Sequence, residues 1–304
     1  MVVARVASLV STNWLKQHII TTTSATAAKT INVAAPSTNL RVLDTSWLPE
    51  THVNGYTDYY QRGHIPGSLY FDLRKLSTKR PDSPIDCPIP DTNLFQEHVE
   101  SLGITNDTHL IIYDQLNARP SVRSWYLFRL FGHDNVSILN GGMTHWVKDG
   151  LEITTEEPKV NDKSKFKVNF RPELLLDYQS MLNIVNSQSA AIVDSRPDVG
   201  GFYITDDDQS GGHMTEAKSI PFPKFFNEDG TFKSNKDLQL LFLSAGVDLA
   251  KPVVTTCLRG MTACAVVLAA YNLGKEDVPM YNGSWLEWSA IADPKNIIKT
   301  KKSP

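Results

Sequence analysis

The chain has 304 residues, 41% hydrophobic and 21% charged, which is typical of a globular protein long enough for two domains. Its net charge of -3 offers no basic excess to attract phosphates, which argues against a nucleic-acid-binding protein. No apolar run approaches the roughly 18 residues of a membrane span. Three scattered cysteines are too few for a disulfide framework or a structural zinc site and indicate a reducing compartment.

The first half alternates predicted strands with predicted helices. An N-capped helix is expected to begin near Ser11, and the small polar residues 21–39 are expected to form a loop insertion. The pattern predicts a parallel α/β sheet with right-handed crossovers. The remaining predicted elements are strands at Leu40–Asp44, His109–Asp114 and Val136–Leu139, helices at Phe95–Leu102 and Ser124–Phe131, and a turn into a short helix over Asn140–Trp146.

A charged, proline-containing stretch then interrupts this alternation. Residues 151–172 are typical of a linker or an exposed segment between domains. We therefore predict an N-terminal domain over residues 1–157, a linker over 158–172 and a C-terminal domain over 173–304.

The second half repeats the first, which indicates duplication of one domain. The offset between matching positions drifts only between 142 and 150 residues. The matching segments are Leu40–Asp44 with Ala191–Asp194, Gly63-His64 with Gly212-His213, Leu102–Ile104 with Ala245–Val247, Ile112–Asp114 with Thr255–Cys257, Asn140-Gly141 with Asn282-Gly283, and Trp146 with Trp288.

One segment of the second half carries the features of a reactive thiol. A short β-branched strand ends at Cys257, and a compact loop leads into a helix predicted over Ala263–Tyr271. Backbone N–H groups and a helix N-terminus aimed at the sulfur favour its thiolate form. Arg259 adds a cation, Gly260 permits a tight turn, and Thr262 is expected to cap the helix.

Cys257 also fits a purely structural role. Intracellular cysteines are usually small buried apolar residues, and Cys264, inside the predicted helix, is interpreted as such. The duplication favours chemistry at Cys257, because the first half carries Asp114 at the matching strand end. Only one of the two copies therefore has a nucleophile.

Five motifs follow one another along the chain. They are Gly63-His-Ile-Pro-Gly67, Ser101–His109, Asn140-Gly-Gly142, Cys257-Leu-Arg-Gly-Met-Thr-Ala-Cys264 and Asn282-Gly-Ser-Trp-Leu-Glu-Trp288. With these motifs the chain resembles the two-domain rhodaneses, the thiosulfate and 3-mercaptopyruvate sulfurtransferases, over nearly its whole length. The resemblance implies an α/β fold of two tandem rhodanese-like domains, each a parallel sheet flanked by helices, with the nucleophile in the second.

The resemblance implies sulfur transfer through a persulfide on Cys257. The thiolate would take the outer sulfur of a donor and pass it to cyanide or a thiol, and a thioredoxin-like protein is one possible acceptor. Arg259 occupies a slot where enzymes that use thiosulfate keep a cation, which favours thiosulfate over 3-mercaptopyruvate. The loop residues expected to contact substrate are Leu258, Arg259, Gly260, Met261 and Thr262.

The sequence departs from the family at a second substrate-binding arginine. Gly200-Gly201 stands where the family places that residue, so Arg196 is the candidate to replace it. Leu258 matches neither the arginine nor the glycine that the two enzyme classes carry there. His64 corresponds to a histidine of a proposed proton relay, and it can equally serve to hold its own turn.

Other functions fit the sequence less well. A phosphatase of this fold needs an arginine six positions after the cysteine, and Ala263 stands there. The sequence has no cluster with metal-ligand spacing, so neither a metal nor a cofactor is expected. A sulfur-relay or oxidant-sensing protein with little turnover remains an alternative. We expect a monomer in the mitochondrial matrix or cytoplasm that does not bind membranes.

Overall fold

A computed structural model describes residues 6–19, 39–77, 85, 87–160, 163–205 and 211–301. The chain divides into two compact units, the first formed by residues 1–77 and 90–170 and the second by residues 78–89 and 171–304. The predicted linker, residues 158–172, spans the point at which this division falls. The predicted loop insertion lies outside the described residues except for Asn39.

The first unit contains a five-stranded parallel sheet with the strand order β1-β5-β4-β2-β3. The central pair aligns Leu40 with His109 and Asp44 with Tyr113. Its strands are β1 (Leu9–Val10), β2 (Leu40–Asp44), β3 (Leu69–Tyr70), β4 (His109–Tyr113) and β5 (Val136–Leu139), and its helices are α1 (Thr12–Ile19), α2 (Gly55–Asp58), α3 (Leu73–Leu76), α4 (Thr92–Ser101), α5 (Arg119–Leu130) and α6 (Gly142–Lys148).

The second unit repeats this arrangement with the strand order β6-β11-β10-β7-β9. A separate antiparallel pair joins β8 to β12. The strands of this unit are β6 (Leu175–Leu176), β7 (Ala191–Asp194), β8 (His213–Met214), β9 (Lys218–Ser219), β10 (Val253–Thr256), β11 (Met280–Tyr281) and β12 (Ile297–Ile298), and its helices are α7 (Tyr178–Ser187), α8 (Asn235–Ser244), α9 (Ala263–Asn272) and α10 (Ser284–Ile291).

The two strand orders confirm the predicted duplication and the predicted fold class. Strands that match in the sequence repeat occupy the same place in the two sheets. In the first sheet, β4 is central and lies between β2 and β5. In the second sheet, β10 is central and lies between β7 and β11. A right-handed crossover joins parallel strands through helices, so each sheet is flanked by helices.

Local sequence signals explain where several helices begin. The Ser11 hydroxyl accepts a hydrogen bond from the Trp14 N–H at 3.1 Å, which confirms the predicted cap of α1. Helix α5 begins at Arg119, five residues before its predicted start at Ser124. The early start places Pro120 in the first turn, where the missing N–H of proline costs no helical hydrogen bond.

Residues 163–170 of the predicted linker pack against the first unit. Phe166 is buried, and its ring lies 6.4 Å from the Phe95 ring and 5.6 Å from the His133 ring. Its N–H donates to the Glu100 carboxylate at 3.0 Å. An apolar anchor inside a charged stretch thus attaches this part of the chain to the sheet-flanking helices.

Buried His98 is expected to make the stability of the first unit sensitive to acid. Burial lowers the pKa of His98 to about 4, and its Nε2 accepts the Asp72 N–H at 3.1 Å. Since the folded pKa lies below the unfolded value of about 6.5, the stability from a neutral His98 is present above pH 6.5 and is lost as the pH falls toward 4. We expect His98→Gln to reduce the loss of unfolding free energy between pH 7 and pH 5, measured by urea denaturation.

The exposed His52 provides the control for this measurement. His52→Gln should show the same pH dependence as the parent protein, because folding does not bury this side chain. Equal slopes for His98→Gln and the parent protein would show that His98 does not contribute.

Candidate active site

The position of Cys257 follows from the burial of β10. All four residues of this strand are buried, and the strand pairs with β7 so that Thr256 lies opposite Asp194. Cys257 is the next residue and is 1% exposed. It therefore lies at the carboxyl edge of a parallel sheet, where ligand sites of open α/β sheets form.

The loop after Cys257 directs a backbone donor at its sulfur. The Gly260 N–H donates to Cys257 Sγ with an N···S distance of 3.1 Å. Gly260 has φ +84°, a left-handed conformation that a residue without a side chain adopts at little cost. Helix α9 starts three residues later and is buried from Ala263 to Tyr271, so its N-terminus is fixed in the core beneath the loop.

The N-terminus of α10 holds the other side of the loop. The Trp285 N–H donates to the Cys257 carbonyl at 2.9 Å, and the Leu286 N–H donates to the Leu258 carbonyl at 3.1 Å. First-turn N–H groups lack partners within their own helix, so the loop satisfies two of them. The two carbonyl groups are thereby engaged by α10, and the positive end of its dipole lies close to Cys257.

Ser284, at the first position of α10, was missed by the sequence prediction. Its hydroxyl accepts the Cys257 N–H at 3.3 Å, lies 3.9 Å from Cys257 Sγ and donates to the Tyr281 carbonyl at 2.9 Å. Ser284 has φ +53°, and its counterpart in the first unit is Gly142 with φ +55°. A sequence signal for Ser284 was available: the motif Asn140-Gly-Gly142 of the first half becomes Asn282-Gly-Ser284 in the second half.

The left-handed conformation of Ser284 predicts that substitutions there affect the reactivity of Cys257 and the stability of the protein differently. We expect Ser284→Ala and Ser284→Gly both to slow alkylation of Cys257, because each removes the hydroxyl that accepts the Cys257 N–H and so loosens the backbone that positions the sulfur. Ser284→Gly should be more stable than Ser284→Ala by about 1 kcal/mol in urea denaturation, because only glycine relieves the backbone strain. Equal stability of the two variants would contradict the strain, and unchanged alkylation would contradict the contact.

Thr262 occupies the N-cap position of α9 but makes no capping hydrogen bond, so the predicted cap is wrong. Its backbone is already helical, with φ -73° and ψ -23°, whereas a capping side chain needs an extended backbone. The Thr262 hydroxyl lies instead 2.8 Å from the Ser195 hydroxyl, which follows β7. This contact ties the loop to the neighbouring strand end.

The other predicted loop residues differ in exposure. Leu258 is 36% exposed although it is apolar, Arg259 is half-buried, and Met261 is buried. The loop therefore presents an aliphatic side chain and a cation next to Cys257.

Arg196 lies in the same unit and is 3% exposed. Its guanidinium forms a buried ion pair with Asp194, at 2.6 Å between Nη2 and Oδ2, and donates to the Gly201 and Gly212 carbonyls at 3.0 and 2.6 Å. Gly201 thus provides only its backbone, and it accepts a hydrogen bond from Arg196.

His64 lies in the first unit, where its ring nitrogens face two backbone carbonyls. Nδ1 lies 2.8 Å from the Tyr60 oxygen and Nε2 lies 3.1 Å from the Glu156 oxygen. The imidazole also stacks on the Tyr60 ring at 3.9 Å. These contacts are those of a histidine that holds its own turn.

The loop of the first unit encloses a carboxylate instead of a thiol. Asp114 is buried and accepts N–H groups from Leu116, Ala118 and Ser121 at 2.6, 3.1 and 3.0 Å. Burial raises the pKa of Asp114, while these hydrogen bonds act in the opposite direction. Both copies therefore place an acceptor side chain among loop amides, and only the second supplies a sulfur.

The described part of the chain meets the requirements of neither a metal site nor a membrane-spanning helix. Its His, Cys, Asp and Glu side chains form no group of three or more that could hold a metal ion. None of its helices combines the length and apolar character that crossing a membrane requires.

Comparison with known proteins identifies the family. The model of the rhodanese-like domain matches residues 27–149 and again residues 177–291. Thiosulfate sulfurtransferase of Gallus gallus is 39% identical over 95% of this chain and 95% of its own length. 3-Mercaptopyruvate sulfurtransferase of Homo sapiens is 37% identical over 85% of this chain and 88% of its own length.

A solved structure agrees with these sequence relatives. SseA from Escherichia coli, described as a 3-mercaptopyruvate sulfotransferase with the rhodanese fold, matches with a TM-score of 0.77 and 28% identity. The match covers 92% of this chain and 99% of that one. The protein therefore belongs to the rhodanese family, with two rhodanese-like domains, and is an enzyme of the sulfurtransferase class.

Proposed function

We propose that the protein transfers a sulfane sulfur from thiosulfate to cyanide or a thiol through a persulfide on Cys257. The Cys257 thiolate attacks the outer sulfur of thiosulfate, the S–S bond of the donor breaks, and its electron pair leaves with sulfite. The acceptor then attacks the outer sulfur of the persulfide and regenerates the thiolate. Each step moves one sulfur atom without a net change in charge.

The observation that carries this proposal is the hydrogen bond from the Gly260 N–H to Cys257 Sγ. A preorganised amide donor stabilises negative charge on the sulfur before and after attack, in a buried site where such donors act strongly. The N-termini of α9 and α10 add positive potential on the same side. The arrangement suits an anionic sulfur nucleophile.

Arg259 supports thiosulfate as the donor. A planar guanidinium can donate two parallel hydrogen bonds to two oxygens of a sulfonate-like anion. 3-Mercaptopyruvate, by the same persulfide mechanism, is the first alternative donor. Gly200-Gly201 provides no cation where the family places its second arginine, which favours an alternative with little turnover of either donor. A sulfur-relay or sensing protein is the second alternative.

The ratio of two rates tests the donor. We expect faster release of thiocyanate from thiosulfate and cyanide than turnover of 3-mercaptopyruvate with a thiol. Arg259→Ser should lower kcat/KM for thiosulfate by about tenfold to hundredfold, the effect of one lost charged hydrogen bond, and affect 3-mercaptopyruvate less. Arg62→Ser, an exposed arginine of the first unit, should change neither.

Each contrary result selects another function. A higher rate with 3-mercaptopyruvate would favour that donor. If neither donor adds sulfur to Cys257, as measured by intact mass, the protein is a relay or a sensor.

The proposed acceptor is a small thiol, cyanide or a thioredoxin-like protein, and the proposed compartment is the mitochondrial matrix or cytoplasm. All three cysteines, Cys87, Cys257 and Cys264, are free and buried. Free thiols persist in a reducing compartment, which supports this location.

A further inference from the structure

Arg196 is already occupied by groups of its own unit. A guanidinium has five N–H donors, and four of those of Arg196 are directed at Asp194, Gly201 and Gly212. Asp194 and Arg196 are both almost fully buried. A side chain bound in this way has little capacity left for a substrate anion.

The same guanidinium connects to the nucleophile through Trp285. The Arg196 Cζ lies 4.3 Å above the Trp285 ring, in the geometry of a cation–π contact. Trp285 in turn donates its backbone N–H to the Cys257 carbonyl at 2.9 Å. The contacts therefore run without a break from Arg196 through Trp285 to Cys257.

Glycines close the remaining side of this arrangement. The Gly212 N–H donates to the Gly201 carbonyl at 3.2 Å, which brings both acceptor carbonyls of Arg196 together. A Cβ at Gly212 would lie 3.2 Å from Trp285 and 2.9 Å from the Ile298 carbonyl. The Arg196 guanidinium and the Trp285 indole are thus enclosed by the end of β7 and by the backbone of Gly201 and Gly212.

We propose that Arg196 is a positioning residue, which orients Trp285 and through it the peptide carbonyl of Cys257, and that it does not bind the sulfur donor. This replaces the substrate-binding role suggested by the sequence and rests on the proposed function. In physical terms, Arg196 fixes the start of α10, and α10 fixes the loop in which the Gly260 N–H meets the sulfur.

Arg196→Lys tests the proposal while keeping a positive charge beside Asp194. Lysine lacks the planar fork that bonds Asp194 and two carbonyls and stacks on Trp285. We expect kcat with thiosulfate to fall by about tenfold to hundredfold, the cost of a small misplacement at a reacting centre, with little change in KM. Alkylation of Cys257 by iodoacetamide at neutral pH should slow in parallel.

Trp285→Phe provides the second arm, because it keeps the backbone N–H and weakens the cation–π contact. If Arg196 acts through Trp285, Arg196→Lys should have a smaller effect in the Trp285→Phe background than in the parent protein. Arg129→Lys is the matched control: Arg129 is buried, pairs with Asp134 and lies 5.1 Å from the Trp125 ring, all in the first unit. Arg129→Lys should leave kcat and alkylation unchanged.

Three results would overturn the proposal. The first is a raised KM for thiosulfate with unchanged kcat, which is the mark of a donor ligand. The others are fully additive effects of the Arg196 and Trp285 changes, and an Arg129 variant impaired as much as Arg196→Lys. Alkylation needs no sulfur donor, so it decides the positioning role even if the parent protein turns over neither donor.

Discussion

Replacing Cys257 with alanine is expected to reduce sulfur transfer to background, a loss of at least about a thousandfold, the scale seen when an enzyme loses its nucleophile. The sulfur of Cys257 is the atom that the Gly260 N–H meets at 3.1 Å, and alanine leaves the loop without an atom to attack the donor. The measurements are thiocyanate release and the intact mass of protein treated with thiosulfate, which should show no added sulfur.

Cys87→Ala is the control for this variant. Cys87 is buried in the second unit, and its backbone carbonyl, which accepts the Asn282 side-chain amide at 3.0 Å, is kept in the variant. The Cys87 variant should retain turnover and gain one sulfur. Persistent turnover in Cys257→Ala would place the nucleophile elsewhere and refute the mechanism.

The second large effect is expected at Gly260. Its φ of +84° disfavours any residue with a Cβ, so Gly260→Ala should shift the backbone and move the N–H away from the sulfur. Removing one preorganised donor of this kind costs about a hundredfold to a thousandfold in kcat. The expected result is that loss in turnover, together with slower alkylation of Cys257.

Gly246 allows strain to be separated from catalysis. It has φ +70° and lies after α8 in the same unit, and a Cβ there would meet nothing within 4 Å. Gly246→Ala should therefore cost a similar amount of folding free energy, about 1–2 kcal/mol in urea denaturation, and leave turnover unchanged. Equal losses of turnover in both variants would show that Gly260 acts only through stability.

The sequence alone predicted the parts of the structure that rest on periodicity. Short, mainly apolar segments placed β2, β4 and β5, and the repeated spacing of motifs predicted two sheets of one design. Cys257 could be placed at a strand end because a buried β-branched run precedes it and a helix follows after a short loop. These signals lie within about ten residues of each other, so they are visible in a single sequence.

The contacts around Cys257 could not be predicted from the sequence in the same way. Ser284 and Trp285 lie about 27 residues from Cys257 along the chain, and they reach it only because β11 pairs with β10. Arg196 is the sequence candidate for a substrate arginine because Gly200-Gly201 stands where the family places one. Its contacts with the Gly201 and Gly212 carbonyls leave no trace in residue types. Thr262 is predicted to cap α9 because threonine is a common N-cap residue. The residue type does not reveal the helical backbone angles that prevent the cap.

The loop around Asp114 resembles in size the site that the proposed persulfide on Cys257 would need. In an aspartate the terminal oxygens stand two bonds beyond Cβ, as the outer sulfur of a cysteine persulfide does. The three amides that surround Asp114 thus display, in a resting protein, how a loop of this design accommodates the longer group. The first domain thus holds permanently, at the strand end that matches Cys257, a side chain as long as the persulfide that we propose for the second domain.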